Sequence, residues 1–199
     1  MRRKIGLILS ILSLGIVANA AEVTTQAGGL AEAVADDITA TSLTVEGEIN
    51  AADIAFIAEK MTELTTLDLS GAKIVAYSGE PIITGKKEYA ENTLPAYSLM
   101  GTKISSIVLP SGLVEIGEAS LSSTPLASII IPGTVTTIGQ GAFSNCDELV
   151  SVELPASVIE VASHAFLDCD KLATVKCGAG ITTIAQSMFA RCKSLSDVT

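Results

Sequence analysis

Leu126-Ala-Ser-Ile129-Ile-Ile131-Pro132-Gly-Thr-Val135-Thr-Thr-Ile138-Gly139-Gln-Gly-Ala142-Phe143-Ser-Asn-Cys146 is one unit of a chain that repeats itself. Twenty-three residues on, Leu149, Val152, Leu154, Pro155, Val158, Val161, Ala165, Phe166 and Cys169 fill the same slots. Another twenty-three on stand Leu172, Val175, Cys177, Ile181, Ile184, Met188, Phe189 and Cys192. Leu195 and Val198 open a further copy. Apolar residues at fixed phases over such a period mark a solenoid, in which each coil buries its apolar side only against its neighbours.

Within Ser128-Ile129-Ile130-Ile131, residues 129 and 131 point one way and 128 and 130 the other. The positions equivalent to the first pair are apolar throughout: Leu43/Val45, Leu67/Leu69, Ile107/Leu109, Val152/Leu154 and Val175/Cys177. They face the core, and the chain returns to the same point in each coil, so the strands stack as a parallel sheet. Pro110, Pro132 and Pro155 end the ladder by lacking an N–H. Leu113–Ile116, Val135–Ile138, Val158–Val161 and Ile181–Ile184 read as short second strands on the opposite side. Gly117 and Gly139 suit a tight turn, but Ala162 and Ala185 hold that slot later, so it requires no positive φ. The Ala-Phe-x-x-Cys piece reads as a single helical turn carrying Phe inward.

Upstream, Leu30, Ala33 and Val34 share a helical face. Ser42–Gly47 alternates as a strand. Asn50 is a good N-cap with Asp53 three residues on, and Ile54, Ile57, Ala58 and Met61 keep helical spacing. Leu64–Gly71 repeats the first strand. Residues 21–63 therefore read as an N-terminal helical cap and 64–199 as repeats. An insertion at about 72–93 interrupts them, carrying Tyr77, Lys86, Lys87 and Tyr89. It is either a solvated loop or part of a working surface. The copy that follows Ile104 is one residue short near Pro125.

The unit at 129–146 and its copies resemble the leucine-rich repeats of the BspA-like family, secreted or surface proteins mostly of anaerobic Gram-negative bacteria. Leu43-Thr-Val-Glu-Gly47 and Leu67-Asp-Leu-Ser-Gly71 look like that family's cap. The resemblance implies a leucine-rich-repeat solenoid and adhesion or partner binding at the cell surface. It supplies no catalytic residues and no cofactor.

Composition agrees with a thin aliphatic core: 48% of the 199 residues are apolar and only 4% aromatic. Arg2-Arg3-Lys4, the apolar run Ile5–Val17 and Ala18-Asn19-Ala20 have the form of a signal peptide cleaved before Ala21. The apolar run is too short to span a bilayer. Losing those three cations takes the net charge from −10 to −13. So acidic a chain repels phosphate backbones and anionic membranes, which excludes nucleic acid as a partner.

Cys146, Cys169 and Cys192 stack at the repeat spacing. Adjacent coils permit a disulfide, but three equivalent positions cannot all pair, and Thr102 and Thr124 hold the slot elsewhere; a small buried filler explains it better. With His164 the only histidine and no close cysteine pair, no metal site is indicated. The phenylalanine ladder 143, 166, 189 reads as core and His164 as exposed. No nucleophile–base arrangement points to an enzyme.

The outward strand face is the main candidate surface. One column holds Thr66, Ser106, Ser128, Ser151 and Thr174; the next holds Asp68, Val108, Ile130, Glu153 and Lys176. Its apolar middle suits a protein partner, such as a host matrix or cell-surface protein. A carbohydrate-binding or envelope accessory role would instead use the insertion, with Tyr77, Tyr89 and Tyr97 converging on one shelf. At the far end, Phe189, Leu195 and Val198 are expected to lie uncovered, so the sequence reads as the N-terminal part of a longer protein or one whose open end another chain covers.

Overall fold

A computed structural model describes residues 19–199. The leader reading falls on residues outside that range except for Asn19 and Ala20. Those two belong to the first coil here: the Asn19 carbonyl accepts the Thr41 N–H at 2.8 Å, and Ala20 pairs with Ser42.

The described chain is a β-solenoid of about 8 turns. Its elements are β1 (Ala20–Thr25), α1 (Leu30–Ala33), β2 (Ser42–Ile49), α2 (Ala51–Lys60), β3 (Thr66–Ile74), β4 (Tyr77–Ile82), β5 (Lys86–Tyr89), β6 (Thr93–Leu94), β7 (Ser106–Val108), β8 (Glu115–Ile116), β9 (Thr137–Ile138), β10 (Ser151–Leu154), β11 (Glu160–Val161), β12 (Thr174–Cys177) and β13 (Asp197–Val198). Strands β1-β2-β3-β7 and β10-β12-β13 form two arcs of a main parallel sheet. The short strands β6-β8-β9-β11 form the parallel sheet opposite, and β4-β5 is an antiparallel hairpin. Register follows the repeat: Leu43 stands beside Leu67 and Leu67 beside Ile107, while Val152 stands beside Val175 and Val175 beside Val198.

Between the sheets runs one aliphatic core. Its leucines, isoleucines and valines from coils one to seven are almost wholly excluded from solvent. Phe143 and Phe166 are fully buried and stack with centroids 5.2 Å apart and planes at 3°; Phe189 continues the ladder 5.6 Å from Phe166.

Both helices form where the sequence places them. Asn50 caps α2, accepting from Ala52 and Asp53 N–H, and Asp53 returns a bond to Asn50 N–H. Asp53 also accepts from Gly28 N–H at 2.7 Å and Leu30 N–H at 3.0 Å, so one buried carboxylate joins the starts of α1 and α2. The helices are the return legs of the first two coils. β1 is the outermost strand, and no helical cap covers it among the described residues.

Three further expectations change. The Ala-Phe-x-x-Cys piece is not a helical turn but a run of tight turns. It contains two left-handed residues four apart, such as Gly141 (φ 59°) and Asn145 (φ 57°), or His164 (φ 61°) and Asp168 (φ 60°). A helix would satisfy its N–H groups internally. Here alternate N–H groups instead reach the next coil: Leu121 to Ala142 carbonyl at 3.0 Å, Phe143 to Ala165 at 2.8 Å, Phe166 to Met188 at 2.9 Å.

Second, Ile181–Ile184 forms no strand, and Ile184 is 60% exposed. Third, the main sheet is interrupted. Residues 128–131 join it only through a bridge from Ser128 to Ser151, and no strand pairing links them to β7. The break coincides with the short copy, where Pro125 occupies the corner that carries Asp147-Glu148 one coil later.

Gly117 and Gly139 hold their slot through close approach rather than positive φ. A Cβ on Gly139 would lie 2.5 Å from Glu118 N and 2.7 Å from Gly117 C.

Candidate functional site

Strand alternation sets the two outward columns side by side within each arc of the main sheet. Thr66 pairs with Ser106 and Asp68 with Val108 in one arc; Ser151 pairs with Thr174 and Glu153 with Lys176 in the other. Ser128 and Ile130 lie between the arcs. Thr66 and Asp68 are half-buried, and the remaining eight are exposed. Ile130 is 86% exposed and Val108 47%. Two large aliphatic side chains therefore stand in water on neighbouring coils, at the sheet's interruption.

The polar residues around them are already engaged. Lys176 Nζ lies 2.6 Å from Glu153 Oε1, and Asp68 Oδ1 accepts the Ser70 N–H at 2.8 Å. Similar pairs link successive coils on other faces: Lys171 with Glu148 at 2.6 Å, Lys193 with Asp170 at 2.7 Å, and Arg191 with Asp168. In each, the base stands twenty-three residues after the acid. That offset equals the repeat period, so it can be read from the sequence. The pairs are exposed and individually weak. Lys193 is held above its ordinary pKa, first by its hydrogen bond to Asp170 and then by that carboxylate's charge.

The insertion folds as the β4-β5 hairpin. Tyr77 faces Tyr89 across it, with rings 6.2 Å apart and tilted at 56°. Their hydroxyls donate to backbone carbonyls, Tyr77 to Glu80 at 2.9 Å and Tyr89 to Ile82 at 2.7 Å. Lys86 and Lys87 are exposed on β5. Tyr97 donates its hydroxyl to the Glu118 carboxylate one coil on.

The cysteine column is a stacked set of donors. Cys146 Sγ donates to Leu121 carbonyl at 3.2 Å, Cys169 to Phe143 at 3.1 Å and Cys192 to Phe166 at 3.0 Å. Thr124 Oγ1 fills the same place, donating to Leu121 carbonyl at 2.7 Å. All four cysteines are free thiols. His164 is half-buried rather than exposed, and its Nδ1 is shielded with no partner. Among the described residues no group of His, Cys, Asp and Glu is placed to hold a metal, and no helix is long and apolar enough to cross a membrane.

A family model described as BspA type leucine rich repeat region matches residues 92–199 in 6 copies, more than half of the chain. No curated protein sequence matches. A leucine-rich repeat protein from T. pallidum is 23% identical, aligned over 91% of this chain and 69% of that one, with a TM-score of 0.54. One from Bacteroides ovatus is 22% identical over 77% of this chain and 34% of that one, with a TM-score of 0.56. At these identities the likeness speaks for the fold. The coil-by-coil register, the stacked turns and the matched copies agree, and the chain belongs to the BspA type leucine-rich-repeat family.

Proposed function

We propose that this chain is an exported module that binds a protein partner, in the manner of an adhesin, through the outer face of its main sheet. The carrying observation is the exposure of Ile130 (86%) beside Val108 (47%) on a face that no other described element covers. Exposed aliphatic side chains on a shallow surface gain most by burial against another polypeptide, and hydroxyls and paired charges around them form a polar rim. Membership of a surface-protein repeat family supports an interaction role. The hydroxyls of Tyr77 and Tyr89 are bonded to the backbone and that of Tyr97 to Glu118, which supports the protein reading over a carbohydrate-binding one.

The test is capture of immobilised matrix and cell-surface proteins by the purified chain, wild type against Val108→Glu with Ile130→Lys. Loss of capture with an unchanged circular dichroism spectrum is expected; undiminished capture by the double variant refutes the assignment. Export is tested separately by mass spectrometry of the protein from its native host. A mature N-terminus at Ala21 is expected, and an intact Met1 refutes it.

A further inference from the structure

We propose that Cys192 is an oxidation site, and that Cys169, one coil back, closes a disulfide with it when a peroxide reaches the chain. The inference concerns the stacked turns and does not depend on the sheet-face reading.

In the reduced chain the cysteine column is packing, and its geometry is that of a ladder. Cys192 Sγ reaches across the coil boundary to donate to the Phe166 carbonyl at 3.0 Å, three residues before Cys169. Cys169 Sγ reaches in the same way to Phe143 at 3.1 Å. Each thiol therefore projects towards the cysteine of the preceding coil. Neighbours in this slot touch: Thr124 Oγ1 lies 3.5 Å from Cys146 Sγ, and the thiols of Cys169 and Cys192 are hydrogen-bond neighbours. In-register residues on adjacent coils stand about 4.8 Å apart at Cα, inside the range of about 4.4–6.8 Å that a disulfide spans.

Three stacked cysteines allow two pairings, and the flanking residues choose between them. Cys169 and Cys192 lie between two ion pairs, Asp168 with Arg191 on one side and Asp170 with Lys193 at 2.7 Å on the other. The Asp168 N–H also bonds the Ala190 carbonyl at 2.9 Å. These contacts hold the two cysteines in register. Around Cys146 and Cys169 the same slots hold Asn145 with Asp168 and Asp147 with Asp170, an uncharged partner and a second carboxylate in place of the two cations.

Access sets the order of events. Cys146 and Cys169 are fully buried, while Cys192 is half-buried. A peroxide therefore meets Cys192 first. The Cys192 sulfur attacks one peroxide oxygen, the O–O bond breaks, and water leaves, giving the sulfenic acid. The Cys169 sulfur then attacks the Cys192 sulfur. The S–O bond breaks, and the hydroxyl departs with the Cys169 proton as a second water. Two thiols are oxidised to one disulfide, and one peroxide is reduced to two waters. Cys177 is half-buried too, but it stands on β12 beside Leu154, outside the column, so it lacks a stacked thiol to resolve it. The disulfide closes the coil in which 181–184 forms no strand, and restrains it where the opposite sheet has stopped.

The experiment treats the full chain, reduced and then freed of reductant, with hydrogen peroxide. Intact mass should show the loss of two hydrogens, reversed by dithiothreitol. Cleavage with trypsin and a glutamate-specific protease should yield segment 161–171 joined to 192–193. Cys169→Ser should stop oxidation at the Cys192 sulfenic acid, which dimedone captures. Cys192→Ser should slow thiol loss at Cys169 about tenfold or more. Cys146→Ser, which carries the same buried change as Cys169→Ser, and Cys177→Ser should both keep the crosslink. Circular dichroism checks that each variant is folded. Amides at 181–190 should exchange about tenfold more slowly in the oxidised chain than in the reduced one. No loss of hydrogens, a crosslink between 146 and 169, a link between two chains, or crosslinking that appears only in urea overturns the inference. So does a Cys192 sulfenic acid that persists in the wild-type chain.

Discussion

Truncating Phe166 to Ala tests whether the stacked turns hold the solenoid together. Phe166 is wholly buried and lies between two rings, 5.2 Å from Phe143 and 5.6 Å from Phe189. Removing a core phenylalanine costs about 3–5 kcal/mol, and each aromatic neighbour adds about 0.5–1.5 kcal/mol beyond area burial. With two stacked neighbours the loss should reach the upper end, about 5 kcal/mol. Phe189 is half-buried and has one ring neighbour, so Phe189→Ala should cost about half as much, roughly 2 kcal/mol. The contrast between the two variants is therefore about 2–3 kcal/mol.

Because coils are stabilised chiefly by their neighbours, the damage should be local before it is global. Urea unfolding followed by circular dichroism measures the total. Hydrogen exchange locates it: amides at 172–198 should lose protection in Phe166→Ala while those of β2 and β3 keep theirs. A cost under about 1 kcal/mol, or equal costs for the two variants, would refute the reasoning that the ring ladder couples the coils. Uniform loss of protection along the whole chain would refute the neighbour-only coupling.

Asp53→Ala should cost about 3 kcal/mol or more, against about 1 for Asn50→Ala, because it strands the Gly28, Leu30 and Asn50 N–H groups together; equal costs in urea titrations would contradict the three-way role. Gly139→Ala should fold with a stability loss of about 1–3 kcal/mol, since its Cβ would press on the backbone of the preceding coil at 2.5 Å; an unchanged Tm would show that the coils part freely there. Cys169→Ala or Cys169→Ser should cost no more than about 2 kcal/mol, the thiol being a replaceable donor and filler. Burial pushes the Cys146 thiol up, and Cys169 is as deeply enclosed, so iodoacetamide should spare both in native protein and label half-buried Cys192 first, its labelling rising as pH is raised. First labelling at Cys146 would contradict the buried column.

The repeat itself was legible because it is carried by burial. Every strand pair such as Val152/Leu154 has to be apolar, and period two then fixes which residues face out. That reasoning set eight of the ten sheet-face residues in paired register, while Ser128 is joined by a lone bridge and Ile130 by no strand pairing. The stacked turns were not legible. Ala-Phe-x-x-Cys is locally consistent with a helical turn, and only the neighbouring coil's carbonyls make the left-handed alternative favourable. Left-handed φ at His164, Asp168, Ser187 and Arg191 leaves no mark of glycine in the sequence. Nor could the sequence show that the second strand fails at Ile181–Ile184. That strand depends on partners, and a pattern of β-branched residues records propensity alone.

Irregularity also decides where this molecule can bind. In a regular coil the backbone is spent: N–H groups of the strand, the second strand and the turns bond the neighbouring coils, and the side chains between them are buried. Such a coil offers a partner little beyond paired charges. Two departures from the period change this. The insertion after Ile74 lets β3 run on past the end of its partner, which frees a strand edge. The short copy near Pro125 parts residues 128–131 from β7, and leaves Ile130 standing in solvent. Both departures meet at β7: Val108 is paired to Asp68, the last residue of β3 that β7 accompanies, and its other side faces the break. One short strand thus separates an open apolar face from an open polar edge.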